Sequence, residues 1–489
     1  MSMGLVLCEL RVMAKIPRYV LFCCLLVISN PVLGNSILDL FMSPADEQRI
    51  GAQEHPKILK AFGGAYEDPK LTPYIKSIGQ FLVRTSETPG ADFTFTILNT
   101  PLVNAFALPG GYVYVTRGLL ALASNEAEVA GVLAHEIGHV TARHSASRAT
   151  NTGLAQLGLI ILDVLSGSSM ASQIGEVGAL AVIQSYSRDD EFEADSLGVK
   201  YLSRAGFDPN AMSTFLEKLG AHSSFESARL GVAQQKGIDF FASHPRTPER
   251  VRRAIQLAGT RHVDKPMVAR ELYLRKIDGM LYGDAPDQGM HKDGLFIHPV
   301  LGFQFNVPKS FIILNQSDMV IGRSSYGGMF QFDADQNQGH KLEQYIRYKW
   351  ADGAALSEVS NGTIGGLRSS WGRLSSRSSD GSRVWLIAIE FDNRLIYRFV
   401  VAIPDRLSDS EKAVMKSIPF SFRRLAADAA SGIRPLRVRT FRTTRGDDLD
   451  DLVRLMRIAD YPLERFLIMN GLTQGSAIPA DTLVKVIGD

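Results

Sequence analysis

Cysteine is nearly missing from this chain: there are three, Cys8, Cys23 and Cys24, and all fall within the first 34 residues. A mature protein without them needs no disulfide, and a thiolate nucleophile or a cysteine zinc cluster is excluded from it. An excess of one charge is missing too. The formal net charge is +2 and no dense lysine and arginine tract occurs, so nucleic acid is not an expected partner. After residue 34 no stretch reaches the ~18 to 20 apolar residues that a membrane span requires. No internal repeat of useful strength is present.

The composition that remains, 45% hydrophobic and 21% charged, is that of a globular protein. A length of 489 residues predicts several domains. Residues 1–34 differ in kind from the rest. Arg11, Lys15 and Arg18 precede the apolar run YVLFCCLLVIS, which ends at NPVLGN. This is the three-part layout of a secretory signal peptide, with an uncleaved membrane anchor as the alternative. Phe22 before Cys23, where a small residue would be expected, argues against a lipoprotein. The expected location is the bacterial periplasm.

Residues 35–262 read as mainly helical, with one strand-like interruption, ADFTFTILNTPLVNAFALPGGYVYVTRG, in which alternating apolar residues flank a turn at Pro109-Gly110-Gly111. SNEAEVAGVLAHEIGHVTARH follows. Asn125 and Glu128 predict a capping box, and Val129, Val132, Leu133, Ile137 and Val140 recur at helical spacing. Gly131 and Gly138 each weaken that helix by about 1 kcal/mol, a cost accepted where another backbone or a ligand comes close. The apolar segment TGLAQLGLIILDVLSGSSMASQIGEVGALAVIQ reads as a core hairpin or a lid, with peripheral membrane contact as a further option. After a connecting segment, 263–291, residues 292–425 turn strand-rich. GFQFNVP alternates, and RVWLIAIEFDNRLIYRFVVAI reads as two strands around Asp392-Asn393, giving an α+β domain that carries no recognisable motif. Residues 426–434 read as a small-residue linker, and 435–489 as a last domain with two short helices and a closing strand.

The chemistry lies in HEIGH. One helical turn is about 3.6 residues, so His135 and His139 project from one face and converge on one ion, with Glu136 beside them to take a proton from water. A catalytic zinc needs a third protein ligand. His144 is a poor one, since five residues past His139 is about 140° around a continuing helix. The better source is SYSRDDEFEADSLGVKYLSRAG. There Glu191 and Asp195 lie one turn apart, so a ligand glutamate and an aspartate that accepts the spare N–H of a ligand histidine share a face. Spacing alone leaves Glu191 and Glu193 both open as the ligand. Either motif alone could be a chance pattern or a solvated helix face; together, on two helix-compatible segments, they point to a metal site.

HEIGHVTARH followed by SRDDEFEADSLG resembles the Ste24, HtpX and Oma1 group of zinc metalloendopeptidases, most of all its soluble periplasmic, BepA-like branch, over roughly residues 45 to 260. The resemblance implies that one zinc ion is held by His135, His139 and Glu191, with Asp195 supporting and Glu136 as the catalytic acid and base. VNAFALPGGYVYVTRGLL is similar to the group's strand beside the cleft, which implies Asn104 near the substrate backbone. SHPRTPERV is similar to the segment that ends the protease domain, which implies His244 near the metal; independently, Thr247-Pro248 reads as a helix start that leaves His244 in a loop. The membrane helices of the HtpX and Ste24 relatives are not found in the sequence, and the α+β domain stands where the BepA-like branch carries helical repeats. The last segment resembles a LysM module, a βααβ fold that binds glycan chains. Gly446-Asp447-Asp448-Leu449, Asn470-Gly471-Leu472 and LVKVI match its pattern, while Phe441 and Thr443 replace its usual tyrosine and valine.

The expected architecture is therefore multidomain: a mainly α zincin-type metalloprotease domain with a small sheet, then an α+β domain, then a βααβ LysM-like domain. The expected activity is hydrolysis of peptide bonds in unfolded or flexible exported proteins, as envelope quality control. Peptidoglycan is a second partner through the C-terminal module. The rival readings are a periplasmic chaperone or binding protein with a secondary metal site, and a cell-wall hydrolase.

Overall fold

The structure, a computed structural model, describes residues 42–144, 186–230, 240–244 and 248–489 apart from 317, 352 and 379. Residues 1–34, read as a signal peptide, the apolar segment 152–184 and Thr247 lie outside the described residues. Among the described residues no helix is long and apolar enough to cross a membrane.

Helix α1 (Pro44–Ala61) opens with Ser43 accepting from the backbone N–H of Asp46 and with proline in the first turn, where its missing N–H costs nothing. Helix α2 (Leu71–Thr85) buries Leu71, Ile75, Ile78 and Leu82, one face at helical spacing. The strand-like interruption forms a three-stranded sheet of β1 (Thr94–Leu98), β2 (Ala105–Leu108) and β3 (Tyr112–Thr116) in the order β1-β3-β2. β2 and β3 are an antiparallel hairpin, and β1 runs parallel to β3, which leaves β2 at the edge. The turn is the expected one: Gly110 and Gly111 have φ of 80° and 82°, a region that glycine enters without steric cost.

A short helix, α3 (Arg117–Leu122), leads into α4 (Glu126–Thr141), where every residue from Glu126 to His139 is buried. The cap is half of what the sequence predicts. The Asn125 side chain accepts from the N–H of Glu128 at 2.8 Å, but the Glu128 carboxylate turns away from Asn125, taking the Ser124 N–H at 2.7 Å and the Lys218 ammonium instead. Helices α5 (Arg188–Arg204) and α6 (Ala211–Leu230) pack on α4, and its glycines mark where they approach. A Cβ on Gly138 would lie 3.1 Å from the Ala194 carbonyl oxygen, and one on Gly131 3.4 Å from the Met212 Cα. α7 (Phe240–Ser243), α8 (Pro248–Gly259) and α9 (Arg270–Ile277) complete this helical region.

The following region is β-rich. β7 (Phe311–Asn315), β8 (Met319–Ser324), β9 (Met329–Gln336), β10 (Leu356–Ile364), β11 (Leu367–Arg377), β12 (Arg383–Glu390) and β13 (Leu395–Ile403) form an antiparallel sheet in the order β10-β11-β12-β13-β9-β8-β7. β12 and β13 flank the turn at Asp392, whose carboxylate accepts the N–H groups of Arg394 and Leu395. β4 (Met290–Lys292), β5 (Leu295–His298), β6 (Phe303–Asn306) and β14 (Arg423–Arg424) make a smaller sheet. Helices α10 (Leu342–Gln344) and α11 (Asp409–Phe420) belong to the same region, whose apolar cores are its own.

The small-residue segment 426–434 contains a short helix, α12 (Ala427–Ser431), consistent with its alanines, since alanine is the best helix former. After it come β15 (Arg437–Arg442), α13 (Leu449–Arg454), α14 (Pro462–Asn470) and β16 (Leu483–Gly488), with β15 and β16 paired antiparallel. Val438, Phe466, Val484 and Ile487 share one continuous core with α2, α4 and α6.

Candidate metal centre

Helix α4 presents His135, Glu136 and His139; α5 supplies Glu191 and Asp195; the end of α7 supplies His244; α8 brings Arg250. All seven side chains are buried. His135 Nε2 lies 3.0 Å from His139 Nε2 and 3.2 Å from His244 Nδ1. Glu191 Oε1 lies 3.4 Å from His139 Nε2 and 2.9 Å from His244 Nδ1, and its Oε2 is 3.8 Å from His135 Nε2. Three histidine nitrogens and a carboxylate oxygen thus converge within 4.8 Å of one another.

This set fits a zinc ion. Donors about 2.0 to 2.2 Å from a tetrahedral zinc stand roughly 3.3 to 3.5 Å apart, and the separations above bracket that range. Histidine and carboxylate are also zinc's usual donors where cysteine is absent. With His244 included the set offers four donors.

A further layer supports the donors. His135 Nδ1 stands 3.0 Å from Asp195 Oδ1, and Asp195 takes a two-armed contact from Arg250, Nε to Oδ2 at 2.8 Å and Nη2 to Oδ1 at 2.7 Å. The third nitrogen of Arg250 pairs with Glu191. Burial pushes the Glu191 carboxyl up, but the charges of His244 and Arg250 outweigh it and hold that carboxyl well below the usual range. Asp195 follows the same balance, with Arg250 prevailing over burial. Burial drives His139 well below its ordinary value, which keeps its ring neutral and its lone pair available. Tyr186 stacks on His139 with ring centroids 3.6 Å apart, and Phe240 stacks on His244 at 4.4 Å.

Glu136 Oε1 is 3.4 Å from His244 Nε2. Asn104 sits just before the edge strand β2, with its N–H on Thr116 Oγ1 at 3.0 Å and its Oδ1 buried without a hydrogen bond among the described residues. Of the two glutamates that spacing leaves open, Glu191 enters the cluster and Glu193 lies on the outer face, 61% exposed. Arg250 escapes sequence reasoning, although it had a signal: it recurs with Ala254 and Ala258 on the buried stripe of α8.

Fold and site together define a buried metallopeptidase-type centre: a HExxH helix crossed by a second helix bearing a glutamate. Residues 69–258 match the family described as Peptidase family M48. The chain is 37% identical over 193 residues to the beta-barrel assembly-enhancing protease of Yersinia pestis, an alignment covering 37% of this chain and 39% of that protein. Against the protein of the same name in Escherichia coli strain K12 the identity is 37%, covering 36% and 38%. The mitochondrial metalloendopeptidase OMA1 of Arabidopsis thaliana is 39% identical over 28% of this chain and 27% of its own. The chain thus spans about two fifths or less of the length of these relatives.

Proposed function

We propose that the protein is a zinc-dependent metalloendopeptidase of the periplasm that cleaves unfolded or misassembled envelope proteins. The observation that carries this is the buried convergence of His135, His139, Glu191 and His244 with Glu136 beside it. A zinc ion in that set supplies Lewis acidity, polarising a carbonyl and acidifying water. His135, His139 and Glu191 would hold it, and Asp195 would orient His135 through its Nδ1. Glu136 takes the proton of the attacking water and hands it to the leaving amine nitrogen. His244 would either stabilise the developing oxyanion or occupy the remaining metal position in a resting state.

Asn104, just before β2, would lie near the backbone of an extended substrate segment, which favours unfolded chains. The name of the bacterial relatives, beta-barrel assembly-enhancing protease, supports envelope proteins as the substrate class. The leader supports export. The resemblance of the tail to a LysM module is what supports a second contact, with peptidoglycan; Gly446 and Asp448 of its matching segment are exposed. Retention of the full chain on insoluble peptidoglycan, lost on Asp448→Lys, tests it.

The main test compares the full chain with Glu136→Gln and His244→Ala for zinc content and digestion of an unfolded protein. Equal zinc in the native and Glu136→Gln chains, with cleavage lowered roughly 10²- to 10⁴-fold in the latter, is expected. His244→Ala should lower cleavage if the ring faces the oxyanion and raise it if the ring blocks the metal at rest. Zinc without cleavage by any of the three chains would favour a binding protein, and release of muropeptides from peptidoglycan a cell-wall hydrolase.

A further inference from the structure

His144 and Glu193, neither of them in the donor set, meet on the far side of His139. Helix α4 ends at Thr141, and Arg143 takes a left-handed φ of 59°. That conformation is unfavourable for a residue with a side chain, and the Arg143–Glu47 ion pair holds it. The chain therefore leaves the helix and doubles back, so that His144, far around a continuing helix, brings its Nδ1 to 3.0 Å from His139 Nδ1. His144 is buried, and its Nε2 faces Glu193 Oε2 at 3.4 Å and Asp190 Oδ1 at 3.7 Å.

The two facing Nδ1 atoms carry one proton between them. A His139 that offers its Nε2 lone pair to a metal must hold its own proton on Nδ1. His144 Nδ1 is then the acceptor, and the His144 proton sits on Nε2, directed at the carboxylates of Glu193 and Asp190. Without this acceptor the metal-competent form of His139 would bury an unpaired N–H, so the other tautomer would compete. His135 has the equivalent arrangement, with Asp195 at its Nδ1. We propose that His144 is a positioning residue for the metal: it accepts the His139 N–H, fixing the tautomer and ring orientation that leave Nε2 free as a donor. The proposal rests on the reading of the four-residue set as a metal site.

The test is zinc affinity of the full chain by chelator competition, with the visible spectrum of the cobalt(II) form as a second readout. His144→Phe keeps a planar ring but offers no acceptor, and should bind zinc about 10- to 100-fold more weakly, with a shifted cobalt spectrum. His144→Asn places an amide oxygen where Nδ1 stood, and should recover most of the affinity and the native spectrum. If the phenylalanine variant does not fold, His144→Ala removes the same acceptor without bulk and takes its place in the comparison. Affinity within twofold of native in both the acceptor-less and the asparagine variants would overturn the proposal. A native chain that binds no zinc would overturn the metal-site reading, and this proposal with it.

Discussion

Arg250 carries a full charge into the interior and meets two carboxylates there, Glu191 and Asp195, so three ions share one dry space. Removing one member of such a group leaves the others uncompensated. Arg250→Ala should destabilise the metal-free chain by about 3 to 5 kcal/mol, read by urea denaturation. Zinc should restore part of that loss, because the ion would take over the neutralisation of Glu191; an equal loss with and without zinc would contradict this. At this scale the sequence is legible where chemistry coincides with helical period. His135 and His139 share a face by spacing alone, and the Glu191 to Asp195 interval does the same on α5. Three things are hidden. Glu191 and Glu193 differ only in which side of α5 meets α4, Arg250 is one arginine among three in PERVRR, and His144 reaches His139 only because Arg143 leaves the helix.

Single elements follow from local pattern wherever one face is buried. The Pro109-Gly110-Gly111 turn, the two strands around Asp392 and the N-cap at Asn125 are local events, fixed by residues within a few positions of one another. The second half of the expected capping box failed because Lys218, distant in sequence, offers Glu128 a buried ammonium, and a charged partner prevails over a backbone N–H. The smaller sheet has a titration of its own. His298 ends β5, accepts the Leu301 N–H at 3.2 Å and is held neutral by burial down to about 4. The unfolded chain takes up that proton near 6.5, so between 6.5 and about 4 it binds more protons than the fold, and stability falls with pH across that window. The loss should be about 2 kcal/mol once partial solvent screening is allowed for. His298→Asn, which keeps an acceptor and cannot titrate, should flatten this part of the profile in denaturant melts at pH 7 and 4.5, whatever its effect at neutral pH.

Across the whole molecule the tail and the helix bearing His135 are built together. Lys485 of β16, fully buried, donates to the carbonyls of Ala121, Leu122 and Ala123 at 2.7, 3.0 and 2.5 Å, the end of α3 just before α4 begins. Asn470 brackets the same strand from α14, its amide on the Lys485 carbonyl and its oxygen on the Lys485 N–H. Arg270 of α9 joins the Ser124 and Leu483 carbonyls. None of this is legible in the sequence, because a lysine within an apolar strand reads as a solvent-facing position and its partners are remote. Lys485→Met leaves three carbonyls at a helix end without their donor. It should lower stability by about 1 to 3 kcal/mol, measured by urea denaturation at pH 7, whereas a loosely tethered tail would register no change. The contacts of Lys485 join residues 362 to 364 positions apart, a separation whose closure is slow. Until residue 485 has been made, the helix bearing His135 and Glu136 lacks its backing, so the front of the chain waits on its last strand to take its final packing.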